Sequence, residues 1–295
     1  MTTQLQEIDP CPSCEGTRFQ LLFTKKERDF WRCCGCGVER QYPLPTNEQL
    51  EQYYSRHYES GRLASMVEEQ EMIRVRAERR VREVRPHLPP GRWLDVGCSS
   101  GAFVRAARGD GIDARGIELA APAVANAQAS GLPVEQSRIE DHQPDQPYDG
   151  VTAFDVIEHV QDPVSFVKNA ERLLLPSGKL ALTVPNLASV TCRLMGKRWY
   201  FYIPDGHLYY FDPRTLRALL EAHGFEVERI VAIPKAMTPR YTLGQLQQLN
   251  PLLAKLVHPI VQIMPDSIAN MAVPVYVGEI LAISRRAALS PRGSA

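Results

Sequence analysis

Between residues 92 and 186 the chain switches repeatedly between short apolar runs and longer amphipathic ones. RWLDVG, DARGIEL, LPVEQS, YDGVTAFDVI and GKLALTVPN read as strands, and GAFVRAARGDG, PAVANAQASG and VSFVKNAERLLL read as the helices between them. Alternation of this kind predicts an α/β fold built on a doubly wound parallel sheet. In such a sheet a ligand lies beyond the carboxyl ends of the strands, where the strand order reverses. The first strand runs into Asp95-Val-Gly97-Cys98-Ser-Ser-Gly101, whose two glycines allow a sharp turn and close approach of backbone to a ligand. Glu118 ends the second strand, 21 residues after Gly97, where a carboxylate can accept from both hydroxyls of a ribose. A dinucleotide fingerprint would carry a glycine where Ser99 stands, so the pattern favours a single nucleoside.

Ahead of this region stand Cys11-Pro-Ser-Cys14 and Cys33-Cys-Gly-Cys36, with 18 residues between the pairs. Two such knuckles can complete a tetrahedron of thiolates around zinc, and residues 1–45 read as a small zinc ribbon. Four thiolates leave no open position, so the role of Cys11, Cys14, Cys33 and Cys36 would be structural; a redox dithiol is the alternative. Cys34 breaks the spacing, and Cys98 and Cys192 suit packing. FQLLF and DFWRC read as two short strands between the knuckles. Seven cysteines, an odd number, without a basic and apolar leader point to a reducing cytoplasm. No apolar run reaches the length of a membrane span.

Residues 46–90 read as a helical linker and lid. Thr46 is a candidate helix cap, and 66–85 (MVEEQEMIRVRAERRVREVR) lacks Gly and Pro, with Met66, Ile73, Val81 and Val84 as its apolar side. Its arginines suit a solvated face or an anionic partner. Pro86, Pro89 and Pro90 end it and mark the boundary to 91–295. Tyr53, Tyr54 and Tyr58 with His57 would form a lid or pack the helix in place.

The ordered segments DVGCSSGAF, GIEL, YDGVTAFDVIEHVQDP and LLLPSGKLALTVPN resemble the motifs of class I S-adenosylmethionine-dependent methyltransferases, in particular the broad group that includes the ubiquinone-pathway O-methyltransferases. The resemblance covers about 92–186 and continues more weakly through GHLYYFDPRTLRALLEAHGFEV. It implies a Rossmann-like sheet of seven strands, the sixth near FEVERIVAI and an antiparallel seventh near VYVGEILAIS. A helical insertion would fall between them at about 234–272, and its apolar character suits a cover over the acceptor pocket or a homodimer contact. Carried over, Asp95, Gly97, Cys98 and Gly101 would surround the methionine part and ribose. Glu118 would hold the ribose hydroxyls with Leu119 beside the adenine. Ile139, Glu140 and Asp141 would lie by the adenine, with Phe154 and Asp155 next to the methionine moiety.

In such enzymes the cofactor's sulfonium is already an activated leaving group, so the protein aligns the acceptor, excludes water and removes a proton. His207, in IPDGHLYYF, is the candidate general base. Asp155, Glu158 and His159 resemble a divalent-cation site proposed in the ubiquinone-pathway group, where magnesium could lower an acceptor hydroxyl's pKa; the alternative is that Glu158 and His159 only pack and cap. Trp199, Tyr200, Tyr202, Tyr209 and Tyr210 could wall an aromatic or sugar acceptor, or form core. The expected activity is O-methylation of a small molecule such as a sugar, polyketide or quinone. The alternatives are an RNA methyltransferase docked through its ribbon and a non-catalytic module that binds the cofactor for a partner. The ribbon's six cations (Arg18, Lys25, Lys26, Arg28, Arg32, Arg40) face six acids (Glu7, Asp9, Glu15, Glu27, Asp29, Glu39), and the whole chain has 34 of each sign, which argues against nucleic acid.

Overall fold

Strand β5 (Arg92–Val96) is buried at every residue, as a parallel strand covered on both faces must be. It pairs in parallel with β6 (Asp113–Glu118) on one side and β8 (Tyr148–Phe154) on the other. β7 (Val134–Gln136) flanks β6, and β9 (Leu174–Pro185) flanks β8. β12 (Val273–Arg286) runs antiparallel to β9 and carries β11 (Phe225–Met237) at the edge. The order β11-β12-β9-β8-β5-β6-β7 is the expected seven-stranded sheet, and its switch point lies between β5 and β8. The structure is a computed structural model describing residues 4–46, 48–50, 67–249 and 251–287. The Tyr53, Tyr54, His57 and Tyr58 group and Met66 lie outside the described residues.

Local signals account for the helices. Pro163–Leu173 (α4) starts with Asp162 accepting from Ser165 N at 2.9 Å and with proline in its first turn. After the short helix Val190–Met195 (α5), Pro213–Ala222 (α6) has a capping box between Asp212 and Thr215. Thr46 caps as expected, its Oγ1 accepting from Gln49 N at 3.2 Å. Val67–Val84 (α1) buries Met72, Ala77, Val81 and Val84, whereas Ile73 is only half-buried. Ala102–Gly109 (α2) and Ala121–Ala129 (α3) complete the set around β5 and β6. No helix among the described residues is long and apolar enough to cross a membrane.

Three boundaries differ from expectation. α4 ends at Leu173 and β9 begins at Leu174, because Leu174 pairs with Tyr148 instead of extending the helix. The third strand shrinks to three residues. β11 runs on to Met237 through pairs such as Lys235 with Val275, so the helical part of the insertion starts at Pro239. That part comprises Pro239–Leu249 (α7), Pro251–Gln262 (α8) and Asp266–Ala269 (α9). Leu243, Ala254 and Val261 bury one another there, while Leu252, Leu256, Ile260 and Ile263 are exposed.

The cysteine region forms its own antiparallel sheet from β1 (Leu5–Glu7), β2 (Arg18–Lys25), β3 (Arg28–Cys33) and β4 (Glu39–Tyr42). A fifth strand, β10 (Tyr209–Tyr210), comes from the far part of the chain and pairs with β4. Phe19, Trp31 and Val38 of the ribbon join one apolar cluster with Leu208, Phe211 and Leu216.

Candidate active site

The carboxyl ends of β5 and β8 open on a cavity of about 300 Å³. Among its lining residues are Asp95, Gly97, Cys98, Phe154 and Asp155, five of the residues expected there, together with Arg80 of α1 and Lys235 of β11. Gly97 has φ +68°, and a Cβ on it would fall 2.8 Å from Val156 Cγ2. Gly101 has φ +77° and faces Leu132 in the same way, at 2.7 Å. Gly101, Glu118, Leu119, Ile139 and Glu140 are not among the lining residues. Ile139 is buried, and Leu119 and Glu140 are exposed.

Glu118 organises the glycine loop. Its carboxylate accepts from the backbone N–H of Ser99 at 3.0 Å, Leu119 at 2.8 Å and Ala120 at 2.9 Å. Ser99 is thereby held at φ +48°, a conformation that glycine adopts without strain. Across the sheet Thr152 Oγ1 donates to Asp95 Oδ1 at 2.7 Å. Burial, with the nearby Glu118 charge, pushes the Asp95 carboxyl up to about 7 against that hydrogen bond.

Asp155 sits at φ +56°. Its N–H donates to Thr183 Oγ1 at 3.0 Å, Thr183 Oγ1 donates to its Oδ1 at 2.9 Å, and Lys235 Nζ lies 3.4 Å from its Oδ2. Burial alone would raise this carboxyl, but the Lys235 and Arg80 charges hold it down to about 2. Lys235 also pairs with Glu279, which is 1% exposed and 3.8 Å from Arg80. Lys235 and Glu279 were not anticipated from the sequence. Their signal is a single charge inside an apolar stretch of each strand, Lys235 in IVAIPKAM and Glu279 in VPVYVGEILAI.

Asp155 is therefore not grouped with Glu158 and His159, contrary to the expected cation set. The ligand atoms of Glu158, His159 and His207 lie instead within 4.8 Å of one another. Glu158 is 1% exposed, and neither of its carboxylate oxygens has a hydrogen-bond partner. Burial and then the Asp155 charge push its carboxyl well above the usual range. His159 Nδ1 hydrogen-bonds Gly206 O at 2.9 Å, and the two imidazoles meet edge to face at 4.6 Å between centroids. His207 is buried, its Nδ1 lacks a partner, and burial followed by His159 holds it well below the usual imidazole range.

The aromatic group resolves as core. Trp199, Tyr202, Tyr209 and Tyr210 are buried, and Trp199, Tyr202 and Tyr210 pack with Phe30 of the ribbon. Only Tyr200 is half-buried. The four cysteines come together: Cys11 and Cys36 sulfurs are 3.4 Å apart, and those of Cys14 and Cys33 3.5 Å. A tetrahedron of thiolates around zinc has sulfur–sulfur edges of about 3.8 Å, so the set fits the ion with little movement.

A family profile described as a methyltransferase domain matches residues 69–230. A ubiquinone biosynthesis O-methyltransferase of Xanthomonas euvesicatoria is 31% identical over 160 residues, covering 50% of this chain and 67% of that protein. One from Psychrobacter arcticus is 29% identical over 181 residues, covering 55% and 69%. Among solved structures, a SAM-dependent methyltransferase of Thermotoga maritima superposes with a TM-score of 0.52 at 18% identity, covering 80% of this chain and 98% of that one. At that identity the likeness speaks for the fold. Taken with the seven-stranded order and the glycine loop at its switch point, the profile places the chain in the class I S-adenosylmethionine-dependent methyltransferase family.

Proposed function

We propose that the chain moves the methyl group of S-adenosylmethionine to a hydroxyl oxygen of a small molecule. The observation that carries the O-directed reading is the 31% identity to a ubiquinone biosynthesis O-methyltransferase. When bound, the cofactor supplies a methyl on a positively charged sulfur. Asp95, Gly97, Phe154 and Asp155 would hold its amino-acid end in the cavity, and Glu118 would turn from the loop amides to the ribose hydroxyls. Leu119, Ile139 and Glu140 would flank the adenine. His207 would take the acceptor proton: its depressed pKa keeps the ring neutral at pH 7, and Nδ1 has no competing partner. Cys11, Cys14, Cys33 and Cys36 would hold structural zinc.

A second reading is favoured by the Glu158–His159–His207 cluster, which could hold a divalent cation against the acceptor oxygen. Two imidazoles with one carboxylate suit a transition ion better than magnesium. His207 would then be a ligand and not a base. Small molecules fit better than RNA because four of the ribbon's six cations are engaged within the chain: Arg28 with Asp205, Arg32 with Glu39, Arg40 with Asp9, and Lys25 with Tyr202 O.

Calorimetric titration with S-adenosylhomocysteine tests the binding half, with micromolar affinity expected and at least a tenfold loss in Glu118→Ala. Unchanged affinity in that variant would remove Glu118 from the site. Methyl transfer to a panel of catechols and sugars tests the rest. His207→Gln should lower turnover at least a hundredfold with unchanged cofactor affinity; equal turnover rules out both roles of His207. Turnover that survives exhaustive chelation with zinc-replete cysteines favours the base over the cation.

A further inference from the structure

We propose that β4 of the cysteine ribbon is the positioning element of the 199–211 segment, and that the four-thiolate site sets its grip. The inference rests on the reading of His207 above. Apart from two short strand residues and a few turns, this segment has little regular structure to satisfy its backbone. The ribbon supplies the missing partners. Gln41 is 0% exposed; its Nε2 donates to Ile203 O at 3.0 Å and to His207 O, and its Oε1 accepts from Asp205 N at 3.2 Å. Its backbone N–H donates to Leu208 O at 2.9 Å. Glu39, 2% exposed, accepts from Tyr202 OH, and Arg28 pairs with Asp205. One buried amide thus holds carbonyls on both sides of Gly206, the residue whose own carbonyl receives His159.

An apolar side chain would fill the Gln41 position without needing partners. A fully bonded amide instead permits one arrangement of the loop, since any shift leaves buried polar atoms unpaired. The grip leads back to the cysteines through covalent neighbours. Cys33 ends β3, its N–H donates to Val38 O at 2.8 Å, and Gly37 N–H donates back to Cys33 O at 3.0 Å. Cys36 lies three residues before Glu39, and Arg214 of α6 donates to its carbonyl. A shared ion would lock this turn, and with it the register of β4. Without an ion the four sulfurs lose the centre that ties the two knuckles together, and the turn loosens.

The test uses zinc-loaded full-length protein. Hydrogen exchange is followed in peptides covering 200–210 and 92–97, and the His207 ring by NMR of histidine-labelled protein, assigned with His207→Gln. Gln41→Glu keeps the acceptor for Asp205 but sets an oxygen against two carbonyls. We expect exchange at 203–208 to rise at least tenfold and the His207 signal to move, with zinc content, 92–97 protection and S-adenosylhomocysteine affinity unchanged within twofold. Chelating the zinc should reproduce the loop effect. Glu39→Gln, which keeps an acceptor for Tyr202, should leave protection intact while Tyr202→Phe lowers it. The proposal is overturned if Gln41→Glu and chelation leave 203–208 protected, or if protection falls equally at 92–97. A wild type that binds no S-adenosylhomocysteine would refute the functional reading, while the exchange result would still decide the positioning role.

Discussion

Asp95 shows how one buried carboxyl couples the cofactor site to stability. Its folded pKa, about 7, lies above the ordinary value of 3.8 because burial penalises the charged form before Glu118 adds to it. Between those two values the folded chain binds a proton that the unfolded chain has released, so stability falls as pH rises through that window. Each unit corresponds to about 1.4 kcal/mol. From pH 5 to pH 8 the loss attributable to Asp95 is therefore about 2–3 kcal/mol. Asp95→Asn keeps the acceptor for Thr152 Oγ1 and removes the proton. Urea unfolding at the two pH values should show the variant gaining on the wild type by about that amount, with weaker cofactor binding. A difference that does not change with pH would mean that Asp95 is already ionised in the fold. The same residue was legible in the sequence as a loop acid, but its protonation was not. That depends on Thr152 and Glu118, which reach it only through strand register.

At the scale of elements, what local pattern determines was readable and what distant pairing determines was not. The strands from Arg92 to Pro185, the capped helices at Asp162 and Asp212, and the loop at Gly97 each follow from a few adjacent residues. β10 does not: Tyr209–Tyr210 is a strand because β4, more than 160 residues earlier, offers it an edge. The same contact turned an apparent acceptor wall into core. Phe30 is 0% exposed, stacks on Phe23 at 4.8 Å and meets Tyr202 edge to face at 5.3 Å. Distant pairing also redraws the candidate cation set. Lys235, from β11, lies 3.4 Å from Asp155, and it is His207 whose ligand atom stands with those of Glu158 and His159. Phe30→Ala should cost about 3–5 kcal/mol in chemical denaturation, because the ring is packed by both the ribbon and the far loop. A loss below 1 kcal/mol would show that the two aromatic groups are not one core.

For the whole molecule, the shared sheet and shared core decide how the chain unfolds. An appended ribbon with its own small core would melt separately, as an exposed linker with few crossing contacts allows. Here β10 belongs to the ribbon's sheet while the residues beside it, Leu208 and Phe211, sit in the apolar cluster under β8 and β9. Arg40, 1% exposed, lies over the ring of Tyr209 at 5.2 Å, so a ribbon cation is itself part of the junction. Opening the ribbon alone would expose Phe30, Trp31 and Gln41 together with their partners in the far loop. Scanning calorimetry should therefore show one transition for the zinc-loaded chain, with calorimetric and van't Hoff enthalpies in agreement. S-adenosylhomocysteine at a hundred times its dissociation constant should stabilise that single transition by about 2.7 kcal/mol. Chelating the cysteine site should move the same transition downward without splitting it. Two separate transitions, with only the smaller one sensitive to the chelator, would mean that the β4–β10 pairing does not bind the two sheets into one cooperative unit.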